Sequence, residues 1–356
     1  ALDLPIEVLE DSENRKVEAH RKPLGVIGAI VPWNFPMILM AFKVPPALIA
    51  GNTVVLKPSP TTPLTSLRLG QLIKDIVPAG VLNIVTDAND LGAPLTAHPD
   101  VNKISFTGST ATGAKVMAGA AGLIKRITLE LGGNDAGIVL DDVEPKKVAQ
   151  QLFDSAFQNS GQVCIAMKRL YVHDSIYDEV VDELATIAND TIIGDGLEQG
   201  TKLGPLQNKM QYEKVKELIE SAREDGNIVA GGEVPDQSGY FIRPTIVRDV
   251  TEGSRIVDEE QFGPVLPVIR FSDESDAIAR ANNSDYGLGG SVWSSDLDRA
   301  YDVANQMNTG TVWINKHAEL DPGIPFGGSK QSGLGNELGM EGLKEFTQLK
   351  MINMAR

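Results

Sequence analysis

The sequence predicts an α/β protein of two parallel-sheet domains with extended strands at its ends. Short runs rich in Val, Ile and Leu alternate with longer amphipathic stretches along most of the chain. The apolar runs are continuous rather than alternating, as in strands covered on both faces. At 356 residues the chain is long enough for two or three domains.

Residues 5–22 are polar and read as extended, with "DSEN" at 11–14 as a turn. "LGVIGAIV" (24–31) reads as a buried strand, Pro36–Ala50 as a helix despite its prolines, and "NTVVLKPS" (52–59) as a strand stopped by prolines. An amphipathic helix over Pro63–Ile76, a strand at "GVLNIVT" (80–86) and another at "VNKISFTGS" (101–109) follow. A helix of small residues over Ala111–Gly122 completes the first set. A second set begins near Gly137 with "AGIVL", a helix at 145–158, the strand "RLYVH" (169–173), a helix at 175–190 and another over Tyr212–Asp225. "PVLPVIRF" (264–271), "GTVWIN" (310–315) and the tail "TQLKMINMA" (347–355) read as strands. The extended ends are expected to pair between subunits.

With 32 basic and 48 acidic residues the formal charge is −16. So acidic a surface repels phosphate backbones and anionic lipid, so neither nucleic acid nor membrane is expected as a partner. The longest apolar stretch, from Pro36, is broken by Lys43 and two prolines and is too short to span a bilayer. The first residues carry no leader pattern, and the single cysteine forms no internal disulfide, so a cytoplasmic setting is expected. The four histidines are scattered and no Cys/His cluster has metal-ligand spacing, so no metal is expected.

Five segments carry candidate chemistry, each with an ordinary structural alternative. "FTGSTATGAKV" (106–116) runs from a strand through Gly108 and Ser109 into a helix, whose N-terminus suits a pyrophosphate; it matches neither a P-loop nor G-x-G-x-x-G. Lys57 in "VVLKPS" stands where a strand leaves the sheet, at the edge where α/β folds take ligands, or is a plain surface lysine. Asn34 in "IVPWNFP" is a neutral donor held between two prolines, or a turn residue. Glu130 in "TLELGGND" lies among apolar residues that raise a carboxyl pKa toward that of a general base, or faces solvent at a strand edge. "DEEQFGPVLPV" offers Glu260 to ribose hydroxyls and Phe262 to a ring, or is a solvated acidic loop. Cys164 in "QNSGQVCI" is a nucleophile or a buried small hydrophobe.

Taken in order, "PWNFP", "KPS…TPL", "FTGST…G", "LELGG", "SGQVC", "E-x-FGPV" and "PFGGSKQSGLGNELGMEGLKEFT" resemble the aldehyde dehydrogenase superfamily from about Lys22 onward. The resemblance implies a Rossmann-like cofactor domain over 23–135, incomplete at its N-terminus because relatives carry a further upstream segment. It implies a catalytic domain over 136–346, and oligomerisation strands at 1–22 with 347–356. It implies NAD(P)-dependent oxidation of an aldehyde to the acid through a thiohemiacetal and thioester on Cys164, with Asn34 and the Cys164 N–H holding the oxyanion and Glu130 activating water. Cofactor contacts carried over are Ile30, Val31, Pro32, Trp33, Lys57, Ser59, Gly108, Ser109, Leu131, Gly132, Glu260 and Phe262. Substrate contacts are Phe35, Leu39, Val163, Ile165 and Phe326, and a homodimer or homotetramer is implied.

One departure concerns the cofactor. Many NAD-preferring relatives carry Glu three positions after the lysine, where this chain has Pro60. A charge that repels a 2′-phosphate is thus absent there, and Ser59 is a candidate phosphate contact, so NAD or NADP is expected. The alternatives are a CoA-acylating dehydrogenase, against which Glu130 speaks, and a catalytically silent structural relative. A cofactor-free thiol hydrolase is disfavoured because no histidine stands near Cys164 in sequence; His317 and Glu319 are expected at most to shape an entrance.

Overall fold

The structure, a computed structural model, describes residues 4–356. The first three positions of the predicted N-terminal strand region lie outside the described residues. The chain forms two compact units. The first comprises residues 1–131, 320–327 and 333–356, and the second 132–319 and 328–332.

In chain order the strands of the first unit begin with β1 (Glu7–Asp11), β2 (Arg15–Pro23), β3 (Val26–Ile30), β4 (Thr53–Lys57), β5 (Leu82–Ile84), β6 (Lys103–Thr107) and β7 (Arg126–Glu130). The second unit supplies β8 (Asp135–Val139), β9 (Met167–His173), β10 (Asn227–Ala230), β11 (Thr245–Arg248), β12 (Val265–Phe271), β13 (Tyr286–Gly287), β14 (Gly289–Trp293), β15 (Thr311–Ile314) and β16 (Ser329–Lys330). The chain then returns to the first unit for β17 (Gly333–Leu334) and β18 (Thr347–Ala355).

The first unit holds a six-stranded sheet in the order β17-β7-β6-β3-β4-β5, parallel except for β17. β4 and β5 extend to one side of β3, and β6 and β7 to the other, so the direction of winding reverses at the β3/β6 border. Such a reversal opens a crevice beyond the carboxyl ends of the strands. Helix α1 (Pro36–Ile49) starts on Pro36, whose fixed φ suits a first helical turn, and buries Leu39, Met40, Val44 and Ala47 with Ile27, Val54 and Leu56 of the sheet. Helix α2 (Thr110–Ala121) follows β6, and its first turn is capped by Ser109, whose hydroxyl accepts from the Thr112 N–H at 3.3 Å. At Gly113 a Cβ would lie 2.4 Å from a Leu131 methyl, so only glycine lets this helix approach so closely. A separate antiparallel sheet, β1-β2-β18, joins the two chain ends, with β18 paired to β2 over nine residues.

The second unit centres on a seven-stranded sheet, β10-β11-β12-β9-β8-β14-β15, parallel except for β10. One apolar cluster, including Ile138, Tyr171, Val215, Ile269 and Val292, and another, including Leu152, Phe157, Leu170, Val180 and Trp293, fill its core. The sequence predicts no strand at β14, "GGSVW", next to the edge strand β15, because its two glycines look like a loop. Among the described residues no helix is long and apolar enough to cross a membrane.

Candidate active site

In the first unit the predicted residues gather at the carboxyl ends of the strands. β3 ends at Ile30, which is buried like Val31; Pro32, Trp33, Asn34 and Phe35 are half-buried and lead into Pro36 of α1. β6 ends before Gly108 and the exposed Ser109. β7 ends on Glu130, followed by buried Leu131.

Lys57 closes β4, and the structure overturns its reading as a surface lysine. It is 5% exposed, and its Nζ donates to the Pro58 carbonyl at 3.3 Å and to Asp87 Oδ1 at 3.0 Å. Ser59 is buried and its hydroxyl is shared with Thr61 at 3.1 Å.

Glu130 does not face solvent either. It is 4% exposed, and neither carboxyl oxygen has a hydrogen-bond partner among the described residues. Burial pushes its pKa well above the ordinary carboxyl value, and the charge of Glu337 adds to this against the pull of Lys43. Lys43 and Glu337 form a fully buried ion pair beside it. Of the expected substrate contacts in this unit, Leu39 is buried in its apolar core and Phe326 is 6% exposed.

In the second unit the candidates Cys164 and Glu260 precede β9 and β12, at the amino ends of those strands and opposite to the usual ligand edge. Cys164, half-buried, is held in a turn just ahead of β9. Asn159, Ser160 and Gly161 take consecutive left-handed conformations with φ of 51°, 55° and 74°. Such a run is costly for the two non-glycine residues, and the surroundings fix it. The Ser160 hydroxyl donates to the Gly204 carbonyl at 2.7 Å, and the Gln162 side chain bridges the Asn159 carbonyl and the Gln207 N–H, each at 2.9 Å. A Cβ on Gly161 would lie 2.2 Å from the Gly263 carbonyl oxygen.

Beyond the turn, buried Lys168 donates from Nζ to the carbonyls of Val163 (2.9 Å), Cys164 (2.6 Å) and Ala166 (3.4 Å). The same ammonium lies 3.7 Å from Glu260 Oε1, which also accepts from the Gly133 N–H at 3.0 Å. The segment read as a possible solvated loop is therefore pinned. Gln211 donates to the Gln261 and Phe262 carbonyls at 2.9 Å each, and Phe262 adopts φ of 52°. Gly132 is buried beside Glu260, and Val163 and Ile165 are buried on either side of Cys164.

Sequence distance misjudged the histidines. His317 comes to the loop, its Nε2 donating to the Ile165 carbonyl at 2.8 Å, and its side chain has no exposure, so it shapes no entrance. Burial depresses its pKa to about 3, so the ring is a neutral strut. Its Nε2 is 3.9 Å from Asp135 Oδ2, and burial raises the Asp135 carboxyl to about 7. Asp87, Lys168, Asp135 and the Lys43–Glu337 pair were not singled out in the sequence. Their one signal there was a charge set against an apolar run, as in "MAFKVPP" and "IVTD".

The sequence pattern of the aldehyde dehydrogenase family matches residues 2–352. The chain belongs to the aldehyde dehydrogenase family. It is 42% identical over 359 aligned residues to a phenylacetaldehyde dehydrogenase of Pseudomonas fluorescens, covering 99% of this chain and 71% of that one. It is 44% identical to a chloroplastic betaine aldehyde dehydrogenase of Beta vulgaris, covering 96% and 69%. A solved NAD+ complex of an aldehyde dehydrogenase from Bacillus cereus superposes with a TM-score of 0.96 at 40% identity, over 99% of this chain and 72% of that one. This aldehyde dehydrogenase thus spans about seven-tenths of the length of these relatives.

Proposed function

We propose that the chain oxidises an aldehyde to its carboxylic acid with NAD or NADP, using Cys164 as nucleophile. The observation that carries the reading is the only cysteine of the chain, half-buried in a turn whose backbone is clamped by Gln162, Lys168 and His317. The likeness to a solved NAD+ complex supports the cofactor class. The residues of the first unit fit such a group. A buried ammonium, Lys57, ends β4, and the N-terminus of twelve-residue α2 follows β6, suiting ribose hydroxyls and a pyrophosphate respectively. In the second unit Glu260 offers a carboxylate to the other ribose, and Phe262 offers its ring. When bound, the cofactor supplies the acceptor for the two electrons and hydrogen leaving the aldehyde carbon as hydride.

The chain's own residues do the rest. The Cys164 thiolate forms a sulfur–carbon bond to the aldehyde carbon, and the carbonyl electron pair moves to oxygen. The Asn34 side-chain amide and the Cys164 N–H donate to that oxygen; such a donor contributes about 3 kcal/mol. Once hydride has left, Cys164 carries the acyl group as a thioester. Glu130 takes a proton from water, whose oxygen attacks the thioester; the sulfur–carbon bond breaks and the thiolate is restored. Burial raises the Glu130 pKa well above the ordinary carboxyl value, and only its deprotonated form can take a proton from water, so acid release should quicken as pH rises. His317, neutral and donating to a carbonyl, serves as no base for the thiol. We read the edge strand β18, with Leu349 and Met351 half exposed, as pairing with a second copy. A reducing, cytoplasmic setting suits a working thiol.

The test compares Cys164→Ala and Glu130→Gln with the parent on an aldehyde panel. Cys164→Ala should bind nucleotide but lose at least about 1,000-fold in turnover. Glu130→Gln should show a first-turnover burst of reduced cofactor followed by slow turnover. Retained steady-state activity in Cys164→Ala removes the nucleophile, and acyl-CoA formation in place of acid removes the hydrolytic step.

A further inference from the structure

We infer that Asp87 sets the cofactor preference toward NAD, supplying from the β5 end of the sheet the carboxylate that Pro60 does not. The inference rests on Lys57 holding a ribose of the bound dinucleotide. Asp87 lies just beyond β5, on the carboxyl edge to which β4 brings Lys57. Its side chain has no exposure. Oδ1 accepts from Lys57 Nζ at 3.0 Å, and Oδ2 accepts from the Leu91 N–H at 3.0 Å, so the carboxylate is fixed in place. Burial alone would push its carboxyl up, but the bonds from Lys57 and the backbone outweigh this and hold it below the usual range. It is therefore a charged group at neutral pH.

Two consequences follow for a ribose at Lys57. A 2′-hydroxyl is neutral and can accept from the Lys57 ammonium with no charge repulsion from the carboxylate behind it, so the pair suits a ribose with both its 2′- and 3′-hydroxyls free. A 2′-phosphate carries negative charge into the same corner. There the charge of Asp87 opposes it, and the Lys57 ammonium is already engaged with that carboxylate. Ser59, the sequence's candidate phosphate contact, is buried and shared with Thr61. The missing glutamate at position 60 thus leaves the corner with a negative charge all the same.

The experiment is equilibrium binding of NAD and of NADP, by calorimetry at one fixed ionic strength, to the full chain with Cys164 alkylated so that no turnover intervenes. The parent should hold NADP at least about 10-fold more weakly than NAD, a ratio set by one charge. Asp87→Asn removes the charge and keeps one of the two acceptor oxygens; it should bring the ratio below about 3, mainly through tighter NADP. Equal affinities in the parent, or an unchanged ratio in Asp87→Asn, overturn the role of Asp87 while leaving the dehydrogenase reading intact. Lys57→Met separates the two: if it binds both nucleotides as the parent does, Lys57 holds no ribose and the underlying assignment falls with the inference. The parent ratio stands as a measurement whether or not either variant folds.

Discussion

At the scale of single residues, the second unit sets two buried ionisable groups against each other. Asp135 keeps its proton in the native state up to about pH 7, whereas unfolded it loses it near the ordinary value of 3.8. His317 stays neutral down to about pH 3, whereas unfolded it takes a proton below 6.5. Between about pH 5 and 6 the native state therefore holds one extra proton on Asp135 and the unfolded state one extra on His317, and the two slopes cancel. His317→Asn leaves the Asp135 slope, so relative to the parent its stability should fall by up to ~1.4 kcal/mol per pH unit as pH rises. Asp135→Asn leaves the His317 slope, and its relative stability should rise over the same window. Urea unfolding of the three proteins at several pH values checks this, and parallel profiles would show that neither group is perturbed.

At the scale of the element, the turn ahead of β9 is what holds the thiol. Its three left-handed residues would relax if left alone, and the clamp consists of the side chains of Ser160 and Gln162 bonded to the distant backbone of Gly204 and Gln207. Gly161→Ala puts a methyl into the Gly263 carbonyl and adds left-handed strain, so at least ~2 kcal/mol of stability should be lost. Cys164 should also react with iodoacetamide at a changed rate. A variant with the parent's urea midpoint and alkylation rate would mean that the turn tolerates the methyl and is not tightly held. By contrast, most helices and parallel strands stood within a few residues of their sequence reading. α1 covers Pro36–Ile49 where Pro36–Ala50 was expected, and β18 matches its predicted span. These elements carry their own apolar periodicity. β14 and the turn at Asn159–Gly161 do not, since their conformations are imposed by neighbours.

At the scale of the molecule, the chain leaves the first unit at Leu131 and returns to it for good at Gly333. The last 24 residues bring Glu337 to buried Lys43, β17 to the edge of β7, and β18 to β2. A chain ending at Ser332 would keep Lys43 in the core with no counter-charge, a loss of about 3–5 kcal/mol. It would also lose β18, one of the two partners of β2. Such a truncation should make residues 24–131 sensitive to limited proteolysis. If that region resists cleavage as it does in the whole chain, the returning segment is not required to stabilise the first unit.

What the sequence by itself determined was the class of the fold and the family, and it named the candidate reactive groups. Buried strands, amphipathic helices and ordered motifs are local patterns, and Cys164, Glu130, Asn34 and Lys57 each stand inside one. What only the tertiary structure decided was the state of those groups and the company they keep. Lys57 gained Asp87 from 30 positions away, the Cys164 loop gained Lys168 and His317, and Glu130 became a buried acid of raised pKa beside the Lys43–Glu337 pair. Protonation and electrostatic pairing depend on burial and on distances of a few ångströms, and linear spacing fixes neither.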